Sequence, residues 1–181
     1  MRVIAGKCRS LQLKTPKGMD TRPTQDRIKE TLFNIIQNEV RDAVFVDLFA
    51  GSGGIGIEAL SRGAKKCYFC DNSKEALKCI EDNLNFTKLS NNATIIKGDA
   101  FGALSYINEK ADVVFLDPPY MAGYENKLFE AFKNYNFITE DTLIILEASI
   151  EKEFDFSGFE LIREKKYKTN KHLFWRMSGN E

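Results

Sequence analysis

The amino-acid sequence predicts an α/β fold built on a mostly parallel β-sheet, and three observations support this prediction. Short, continuously apolar segments alternate with helical stretches along most of the chain, which is typical of a parallel sheet covered by helices on both faces. A glycine-rich turn follows the first of these segments, as it does in α/β sheets that bind a ligand at their carboxyl edge. The last two strand candidates are joined by residues 168–170 alone, too few for a crossover helix, so this pair must be antiparallel.

The elements of the predicted fold follow one another in a regular order. The parallel strand candidates are 43–49, 66–71, 93–97, 112–116 and 142–147. The predicted helices between them are 54–62, 73–88, a short one near 101–109, and 124–135, and the closing hairpin joins 159–167 to 171–177. Before the sheet, Thr24 can cap a helix whose apolar residues recur at helical spacing. Five parallel strands closed by an antiparallel hairpin are typical of the seven-stranded, Rossmann-like class I methyltransferase fold.

The composition is that of one globular domain. The chain has 181 residues, of which 43% are hydrophobic and 29% charged, so it can bury a full core and is neither disordered nor membrane-like. Residues 1–23 are predicted to form a small N-terminal β-hairpin arm and loop, and residues 24–181 the Rossmann-like catalytic core. No segment resembles a signal peptide or a membrane span, so we expect a cytoplasmic protein, and we expect it to be a monomer.

The cysteines give no indication of a metal site. Cys67 and Cys70 form a CxxC pair, but they lie in a predicted strand, in which residues three apart point to opposite faces of the sheet. The sequence contains no second such pair, and His172 is its only histidine. We therefore expect reduced, buried thiols and no bound metal.

The charges are distributed unevenly, although the formal net charge is zero. Residues 1–30 carry eight Lys and Arg against three Asp and Glu, and residues 161–176 carry six against one, so each end has a net charge of +5 and the rest of the chain −10. Basic ends on an acidic body indicate a polyanionic partner, although a charged terminus is often simply a solvated face. The residues predicted to contact RNA are Arg2, Lys7, Arg9, Arg22 and Arg27.

The glycine-rich turn predicts a ligand site. Gly51, Gly53 and Gly56 satisfy the pattern GxGxxG, and Asp71 ends the next strand twenty residues after Gly51. This spacing fits a dinucleotide site, and it also fits a tight turn that binds nothing. Asp47, at the end of the first strand, separates the candidate cofactors. Like charges ~6 Å apart cost about 3 kcal/mol at a dielectric constant of ~20, so Asp47 repels a pyrophosphate, whereas it attracts the ammonium and sulfonium groups of S-adenosylmethionine.

Further cofactor contacts are predicted where the next strands end. Asp71 is placed to accept hydrogen bonds from two ribose hydroxyls, and Asp99, after strand 93–97, from an adenine amino group. Each aspartate could instead only shape its turn, which is the commoner role of a loop Asp. The complete set of predicted cofactor-binding residues is Asp47, Phe49, Ala50, Gly51, Gly53, Asp71, Asn72, Asp99 and Ala100.

The fourth strand ends in Asp117-Pro118-Pro119-Tyr120, which we interpret as the catalytic segment. Prolines often end strands, so the segment could be a simple terminator. Methyl transfer to an amino group of a base explains it better, because the lone pair of such an amine is conjugated into the ring. Two acceptors for its N–H bonds, the Asp117 carboxylate and a main-chain carbonyl near Pro118, can turn this lone pair toward a methyl donor. Tyr120 can stack on the base, and no metal or covalent nucleophile is needed.

Several segments resemble known enzymes. Asp47–Gly53 and Asp117–Tyr120 are similar to the amino-methyltransferases of nucleic acids. Met1–Gly6, Thr21–Arg27 and Glu30–Asn34 resemble the bacterial RsmD-type methyltransferases, and the similarity covers nearly the whole chain. The resemblance implies S-adenosylmethionine as cofactor, 16S ribosomal RNA in the small subunit or a late assembly intermediate as substrate, and N2-methylguanine as product. It also implies Phe as readily as Tyr at the last position of the catalytic tetrapeptide, so the hydroxyl there has no catalytic role.

Three other functions stay open from the sequence. The same tetrapeptide serves adenine-N6 and cytosine-N4 methyltransferases of DNA or RNA, although DNA enzymes usually carry a sizeable target-recognition domain, for which this chain has no room. A nicotinamide-dependent oxidoreductase is opposed by Asp47 and by the lack of an obvious proton donor near the cleft. A catalytically silent RNA-binding assembly factor would use the basic ends alone, and the intact Asp117 and glycine loop argue against it.

Overall fold

The computed structural model of this chain describes residues 1–18 and 23–179. Within these ranges one sheet contains seven strands, β1 Val44–Asp47, β2 Lys66–Asp71, β3 Ala93–Lys97, β4 Val113–Leu116, β5 Leu143–Ser149, β6 Phe159–Lys166 and β7 Asn170–Met177. Their order is β3-β2-β1-β4-β5-β7-β6, with β1 to β5 parallel and β7 antiparallel to both of its neighbours. The predicted mostly parallel sheet with a C-terminal antiparallel hairpin is confirmed.

The helices agree with the prediction in position and differ in extent. In the described part of the chain they are α1 Pro23–Ile35, α2 Gln37–Val40, α3 Gly54–Ser61, α4 Lys74–Thr87, α5 Ala100–Ala103 and α6 Tyr124–Phe132. The helix expected near 101–109 is only one turn long and continues as a 3-10 turn over Leu104–Tyr106. None of these helices has the length and apolar character needed to cross a bilayer, for the residues described.

The start of α1 differs from the prediction. Thr24 was expected to cap this helix, but α1 begins at Pro23, so Thr24 lies inside its first turn. A proline suits the first helical position, because its fixed φ is already helical and the main-chain N–H that it lacks would have no partner there. The N-cap of α4 is Ser73, whose hydroxyl accepts a hydrogen bond from the main-chain N–H of Ala76 at 3.3 Å.

Both faces of the sheet are covered, and its central strands are buried throughout. Every residue of β1 and of β4 is buried. One face packs against α5 and α6, and the other against α1, α3, α4 and residues 1–14, which we call the N-terminal segment. Cys70 belongs to the first of these two cores and Cys67 to the second. The two thiols therefore point to opposite faces of the sheet, as predicted from their spacing.

The N-terminal segment folds back on itself and contributes to the second core. An antiparallel bridge joins Arg2 and Gln12, and the main-chain N–H of Leu13 donates to the Met1 carbonyl oxygen at 2.8 Å. Its buried side chains are Val3, Cys8 and Leu13. This segment is therefore packed on the body of the protein along much of its length.

A buried carboxylate on α3 fastens the N-terminal segment. Glu58 is fully buried, and its carboxylate accepts hydrogen bonds from the main-chain N–H groups of Ile4 (2.8 Å) and Ala5 (3.3 Å). The Arg62 guanidinium lies 3.7 Å from the same carboxylate and balances its charge. Both main-chain N–H groups are partly buried, so the carboxylate supplies the hydrogen-bond acceptor that water would otherwise provide.

The turn of the N-terminal segment requires glycine. Gly6 has a φ of +82°, and a Cβ at this position would lie 1.9 Å from the carbonyl oxygen of Ser61. The same carbonyl accepts a hydrogen bond from the main-chain N–H of Lys7, and the Ser61 hydroxyl donates to the Ala5 carbonyl oxygen. Close contact between the turn and the end of α3 thus depends on the missing side chain.

Replacing Glu58 should loosen this attachment. In Glu58→Ala two main-chain N–H groups lose their acceptor, so we expect the free energy of unfolding to fall by about 2–4 kcal/mol. Urea denaturation followed by circular dichroism at pH 7 measures this change. The matched control is Glu81→Ala, an exposed position on α4, which should stay within about 0.5 kcal/mol of the wild type. Equal stability of the two variants would contradict the fastening role of Glu58.

Candidate active site

An open cleft of about 1520 Å³ lies over the carboxyl edge of the sheet. It is lined by the ends of β1, β2, β4 and β5, by α1, and by the turn between β6 and β7. Pockets for a single small molecule usually measure about 300–1,000 Å³, so this cleft has room for a cofactor and part of a second molecule. Among the described residues, no group of three or more His, Cys, Asp or Glu side chains is arranged to hold a metal ion.

The glycines between β1 and α3 serve different purposes. Gly51 and Gly53 have φ values of +56° and +85°, which only glycine adopts without strain. Gly51 lines the cleft, whereas Gly53 does not and forms the turn into α3. A Cβ at Gly56 would lie 2.3 Å from the Phe69 ring, so Gly56 allows α3 to approach β2 closely. Of the two glycines predicted to bind a cofactor, only Gly51 therefore faces the cleft.

Asp71 and Asp99 shape the loops in which they lie, and both also line the cleft. The Asp71 carboxylate accepts hydrogen bonds from the main-chain N–H groups of Gly51 and Ser73, each at 2.9 Å. One oxygen of Asp99 caps α5 by accepting from the N–H of Gly102 at 2.7 Å. A carboxylate has about four acceptor positions, so both residues keep capacity for a ligand. The turn-shaping role is present in both, and the binding role stays a prediction.

Asp47 is the most deeply buried acid of the cleft. It is 1% exposed, and its carboxylate accepts one hydrogen bond, from the main-chain N–H of Phe49 at 3.2 Å. Burial raises its pKa to about 8, and the negative charges of Asp117, Asp71 and Glu147 act in the same direction. The prediction from the sequence treated Asp47 as ionised, but its raised pKa keeps the carboxyl group mostly neutral below pH 8 when no cation lies beside it.

The predicted catalytic segment opens into the same cleft. Asp117 directly follows β4, and burial first and the Glu147 charge second raise its pKa to about 7. The carboxyl group is nevertheless in contact with solvent, so a second molecule can reach it. Tyr120 is 83% exposed, and the Lys152 ammonium lies 5.4 Å from the centre of its ring. Pro118 and Pro119, between them, also line the cleft.

The sequence did not predict a group of four neighbouring residues that line the cleft, Glu147, Tyr167, Asn170 and His172. The Asn170 amide donates to one Glu147 oxygen at 2.6 Å, and His172 Nε2 lies 3.5 Å from the other. The Tyr167 hydroxyl lies 3.1 Å from His172 Nδ1. Glu147 could have been found by the argument used for Asp47 and Asp117, since it also lies at the carboxyl end of a buried strand. Asn170 and His172 could not, because only the pairing of β5 with β7 brings them to Glu147, and Tyr167 joins the group only through its contact with His172.

The residues predicted to contact RNA lie in different surroundings. Lys7, Arg9 and Arg27 are exposed, and Arg27 lies at the cleft. Arg2 is also exposed, with its guanidinium 3.5 Å from the Asp26 carboxylate, and Arg22 lies outside the described residues. Lys29, counted in the N-terminal charge, is buried and donates to the Arg2 carbonyl oxygen at 2.6 Å. Because it is buried, Lys29 adds less to the surface charge than the sequence suggested, and burial also lowers its pKa.

The cofactor residues predicted beside the glycine loop occupy one side of the cleft. Apart from Gly53, every member of the predicted set lines it, including Phe49, Ala50, Asn72 and Ala100. The Phe49 ring packs edge-to-face against Tyr124 at 5.8 Å between ring centres. The glycine loop and the Asp-Pro-Pro-Tyr segment therefore meet in one cavity at the carboxyl edge of the sheet.

This fold and cleft define a methyltransferase with a Rossmann-like sheet. A comparison with protein families gives the more particular assignment. The model of the family described as "Conserved hypothetical protein 95" matches residues 1–176, so the chain belongs to that family. The resemblance to RsmD-type methyltransferases noted from the sequence is thereby confirmed.

Individual relatives and solved structures agree with this assignment. The chain is 37% identical over 169 residues to "Putative rRNA methyltransferase YlbH" of Bacillus subtilis, covering 92% of each chain. It is 32% identical over 167 residues to "Ribosomal RNA small subunit methyltransferase D" of Escherichia coli, covering 91% of this chain and 84% of that one. The solved structure described as "Putative methyltransferase yhhF from Escherichia coli" superimposes with a TM-score of 0.88 at 29% identity, covering 99% of both chains.

The buried carboxyl group of Asp47 should make the empty protein less stable as the pH rises. The unfolded chain releases this proton near pH 4 and the folded chain near pH 8, so the folded state binds more protons in between, and stability falls with rising pH across that window. Asp47→Asn keeps the shape and the Phe49 hydrogen bond but has no proton to lose. The wild type loses free energy of unfolding between pH 4 and pH 8, and the variant does not. For each kcal/mol of this loss, we expect the melting temperature of the variant at pH 8 to exceed that of the wild type by ~2–4 °C.

Thermal unfolding of both proteins at several pH values between 4 and 8 measures this difference. The advantage of Asp47→Asn should grow with pH through this window. Asp155→Asn, at an exposed position outside the cleft, is the control and should match the wild type at every pH. A difference between Asp47→Asn and the wild type that does not change with pH would show that Asp47 titrates normally.

Proposed function

We propose that this protein transfers the methyl group of S-adenosylmethionine to the exocyclic N2 amino group of a guanine in 16S ribosomal RNA. The substrate is the small ribosomal subunit or a late intermediate of its assembly, and the protein acts in the cytoplasm as a monomer. The observation that carries the proposal is the Asp117 carboxyl group, which opens into the same cleft as the glycine loop and can be reached by a second molecule.

The cleft offers acceptors where S-adenosylmethionine carries donors and positive charge. Asp47 suits its ammonium group, Asp71 its ribose hydroxyls and Asp99 its adenine amino group, and all three line the cleft. A cation beside Asp47 also favours the ionised form of that carboxyl group, which burial disfavours. The pyrophosphate of a dinucleotide would add two negative charges to those of Asp117 and Glu147. When bound, S-adenosylmethionine supplies an electrophilic methyl group.

Asp117 positions the amino group that receives this methyl. In its ionised form the carboxylate accepts one N–H of the amine, and a main-chain carbonyl near Pro118 accepts the other. The two prolines hold the main chain at fixed φ and add no competing N–H donor. As the new N–C bond forms the old S–C bond breaks, and the alkylated nitrogen becomes acidic enough to release a proton to Asp117 or to water. The carboxylate form, which prevails above pH 7, is therefore the active one.

Tyr120 can stack on a nucleic-acid base, and the cations around it can bind the neighbouring phosphates. The Tyr120 ring is exposed at the cleft, and stacking a base on such a ring contributes about 1–3 kcal/mol. Arg27, Lys152 and Lys168 also line the cleft and can contact phosphates on either side of the target base. The Escherichia coli relative is named as a methyltransferase of small-subunit ribosomal RNA, and this chain covers 84% of its length. This similarity favours small-subunit RNA as the substrate.

Removing the Asp117 carboxylate should separate catalysis from cofactor binding. We expect Asp117→Ala to lose methyl transfer while its affinity for S-adenosylmethionine stays within about tenfold of the wild type, or ~1.4 kcal/mol, because the lost contact serves the target amine. Methylation is measured with a radiolabelled methyl donor on small subunits from cells that lack the protein. Affinity is measured by calorimetry.

The control for this experiment is Asp155→Ala, an exposed acid outside the cleft, which should keep full activity. Mass spectrometry of the RNA nucleosides identifies the product as N2-methylguanosine. Near wild-type turnover by Asp117→Ala would refute the proposed mechanism, and a different methylated nucleoside would refute the proposed substrate atom.

The exposed basic residues of the N-terminal segment should contribute to RNA affinity. Deleting the segment would uncover core residues and the Glu58 carboxylate, so substitution is the better test. Changing Arg2, Lys7 and Arg9 together to Ala should weaken RNA binding and reduce its dependence on salt, by a slope of about 0.7 for each lost phosphate contact with a single strand. Affinity for S-adenosylmethionine should not change.

The control is a triple change at Lys110, Lys127 and Lys133, which are exposed and adjoin residues of the core on the other face of the sheet from the N-terminal segment. RNA affinity of both variants is measured by filter binding over a range of salt concentrations. If the two triple variants show the same salt dependence, the N-terminal segment does not contact RNA. The basic residues of the β6–β7 hairpin, Lys165, Lys166 and Lys168, would then be tested next.

A further inference from the structure

A second carboxylate lies beside Asp117 in the cleft. Leu116 of β4 is in register with Leu146 of β5, so the residues that follow them, Asp117 and Glu147, are neighbours at the edge of the sheet and share one face. Their proximity also affects ionisation, because the negative charge of Glu147 contributes to the raised pKa of Asp117. A molecule that presents an amino group to Asp117 therefore meets Glu147 with the atoms next to that group.

Glu147 is held in place without being sealed from the cleft. Asn170 donates to its Oε1 at 2.6 Å, and His172 Nε2 lies 3.5 Å from its Oε2. His172 is itself 1% exposed and is fixed on its other side by the Tyr167 hydroxyl at 3.1 Å. The Glu147 side chain keeps 23% of its surface exposed, toward the cleft that it lines. Such a carboxylate presents an acceptor in a fixed position.

The base that fits two adjacent carboxylates is determined by its hydrogen-bonding edge. Guanine has two neighbouring donors, the N2 amino group and the N1–H. Adenine and cytosine also carry an exocyclic amino group, but the ring nitrogen beside it, N1 of adenine or N3 of cytosine, is an acceptor. Two acceptors that face each other repel, and a buried group without a partner is costly. An amine site with a second acceptor beside the first therefore matches guanine.

We propose that Glu147 accepts a hydrogen bond from N1–H of the target guanine while Asp117 accepts one from its N2 amino group, so that Glu147 selects guanine against adenine and cytosine. Asn170 and His172 are positioning residues that keep this acceptor aimed at the base. The proposal rests on the proposed function, because it concerns the base that the Asp117 site methylates.

The purine 2-aminopurine tests this contact. It keeps the 2-amino group of guanine, but it lacks O6, and its N1 is an acceptor instead of a donor. The change in preference caused by substituting Glu147 therefore separates the N1 contact from the loss of O6. Mass spectrometry first locates the nucleotide that the wild type methylates. Small subunits are then reconstituted with RNA that carries either guanosine or 2-aminopurine at that position, and kcat/KM for methyl transfer is measured on both. We expect the wild type to prefer guanosine by about 10- to 100-fold, the range of a hydrogen bond to a charged group.

Glu147→Gln should reduce this preference by at least about tenfold. The glutamine oxygen can keep the Asn170 hydrogen bond, and the amide N–H then faces the base, where it suits N1 of 2-aminopurine and opposes N1–H of guanine. The matched control is Glu151→Gln, an exposed position four residues along the chain that does not line the cleft, and it should keep the wild-type preference. Binding of S-adenosylmethionine by each variant, measured by calorimetry, verifies that its cleft is intact.

The outcomes separate this proposal from the one on which it rests. If the wild type produces no N2-methylguanosine, the proposed function fails. If it does, but methylates 2-aminopurine as well as guanosine, or if Glu147→Gln keeps the wild-type preference, then Glu147 does not read N1–H and the inference is overturned. Should Glu147→Gln lose its fold, Asn170→Ala is measured in the same way, because it releases Glu147 from its fixed position; an unchanged preference there also overturns the inference.

Discussion

Three acidic side chains gathered at the carboxyl edge of the sheet, one of them fully buried, determine what this cleft can bind. Asp47 pairs in register with Phe115, two residues before Asp117, and Glu147 follows on the next strand, so parallel pairing places three acids in a row on one face. In this partly desolvated cleft the charges of Asp117 and Glu147 help to raise the pKa of Asp47, and the charge of Glu147 helps to raise that of Asp117. Cations and hydrogen-bond donors reduce the repulsion among these acids, whereas phosphates increase it. The cleft therefore favours a sulfonium cofactor and an amino group as ligands.

The architecture could be predicted because its main signals are local. Apolar runs marked every strand within a few residues, and the short link between the last two strands required an antiparallel pair. The shape of the smaller helices could not be predicted in the same way. The four residues of α2 make a single turn, too short for periodicity to show. Asp99 caps α5 through the main-chain N–H of Gly102, and after Ala103 the chain tightens into a 3-10 turn, so the expected longer helix does not form.

The site was predicted only in part, because its properties depend on residues that are distant in sequence. Motifs placed Asp47 and Asp117 in one cleft, and the structure agrees. The raised pKa of Asp47 follows from burial by the whole sheet, which no motif encodes. The contact between Glu147 and His172 joins residues twenty-five positions apart through the antiparallel pair β5 and β7. The N-terminal segment likewise looked from its sequence like a basic arm, while Glu58, more than fifty residues away, ties it to the core.

The buried carboxyl group of Asp47 couples occupancy of the cleft to the exchange of protons with the solvent. Near pH 7 this group holds a proton in the empty protein, and a cationic ligand that stabilises the carboxylate expels it. Each binding event then releases about one proton to the surrounding buffer. The heat observed on binding accordingly includes the ionisation enthalpy of that buffer, and the apparent affinity for the ligand increases as the medium becomes more alkaline.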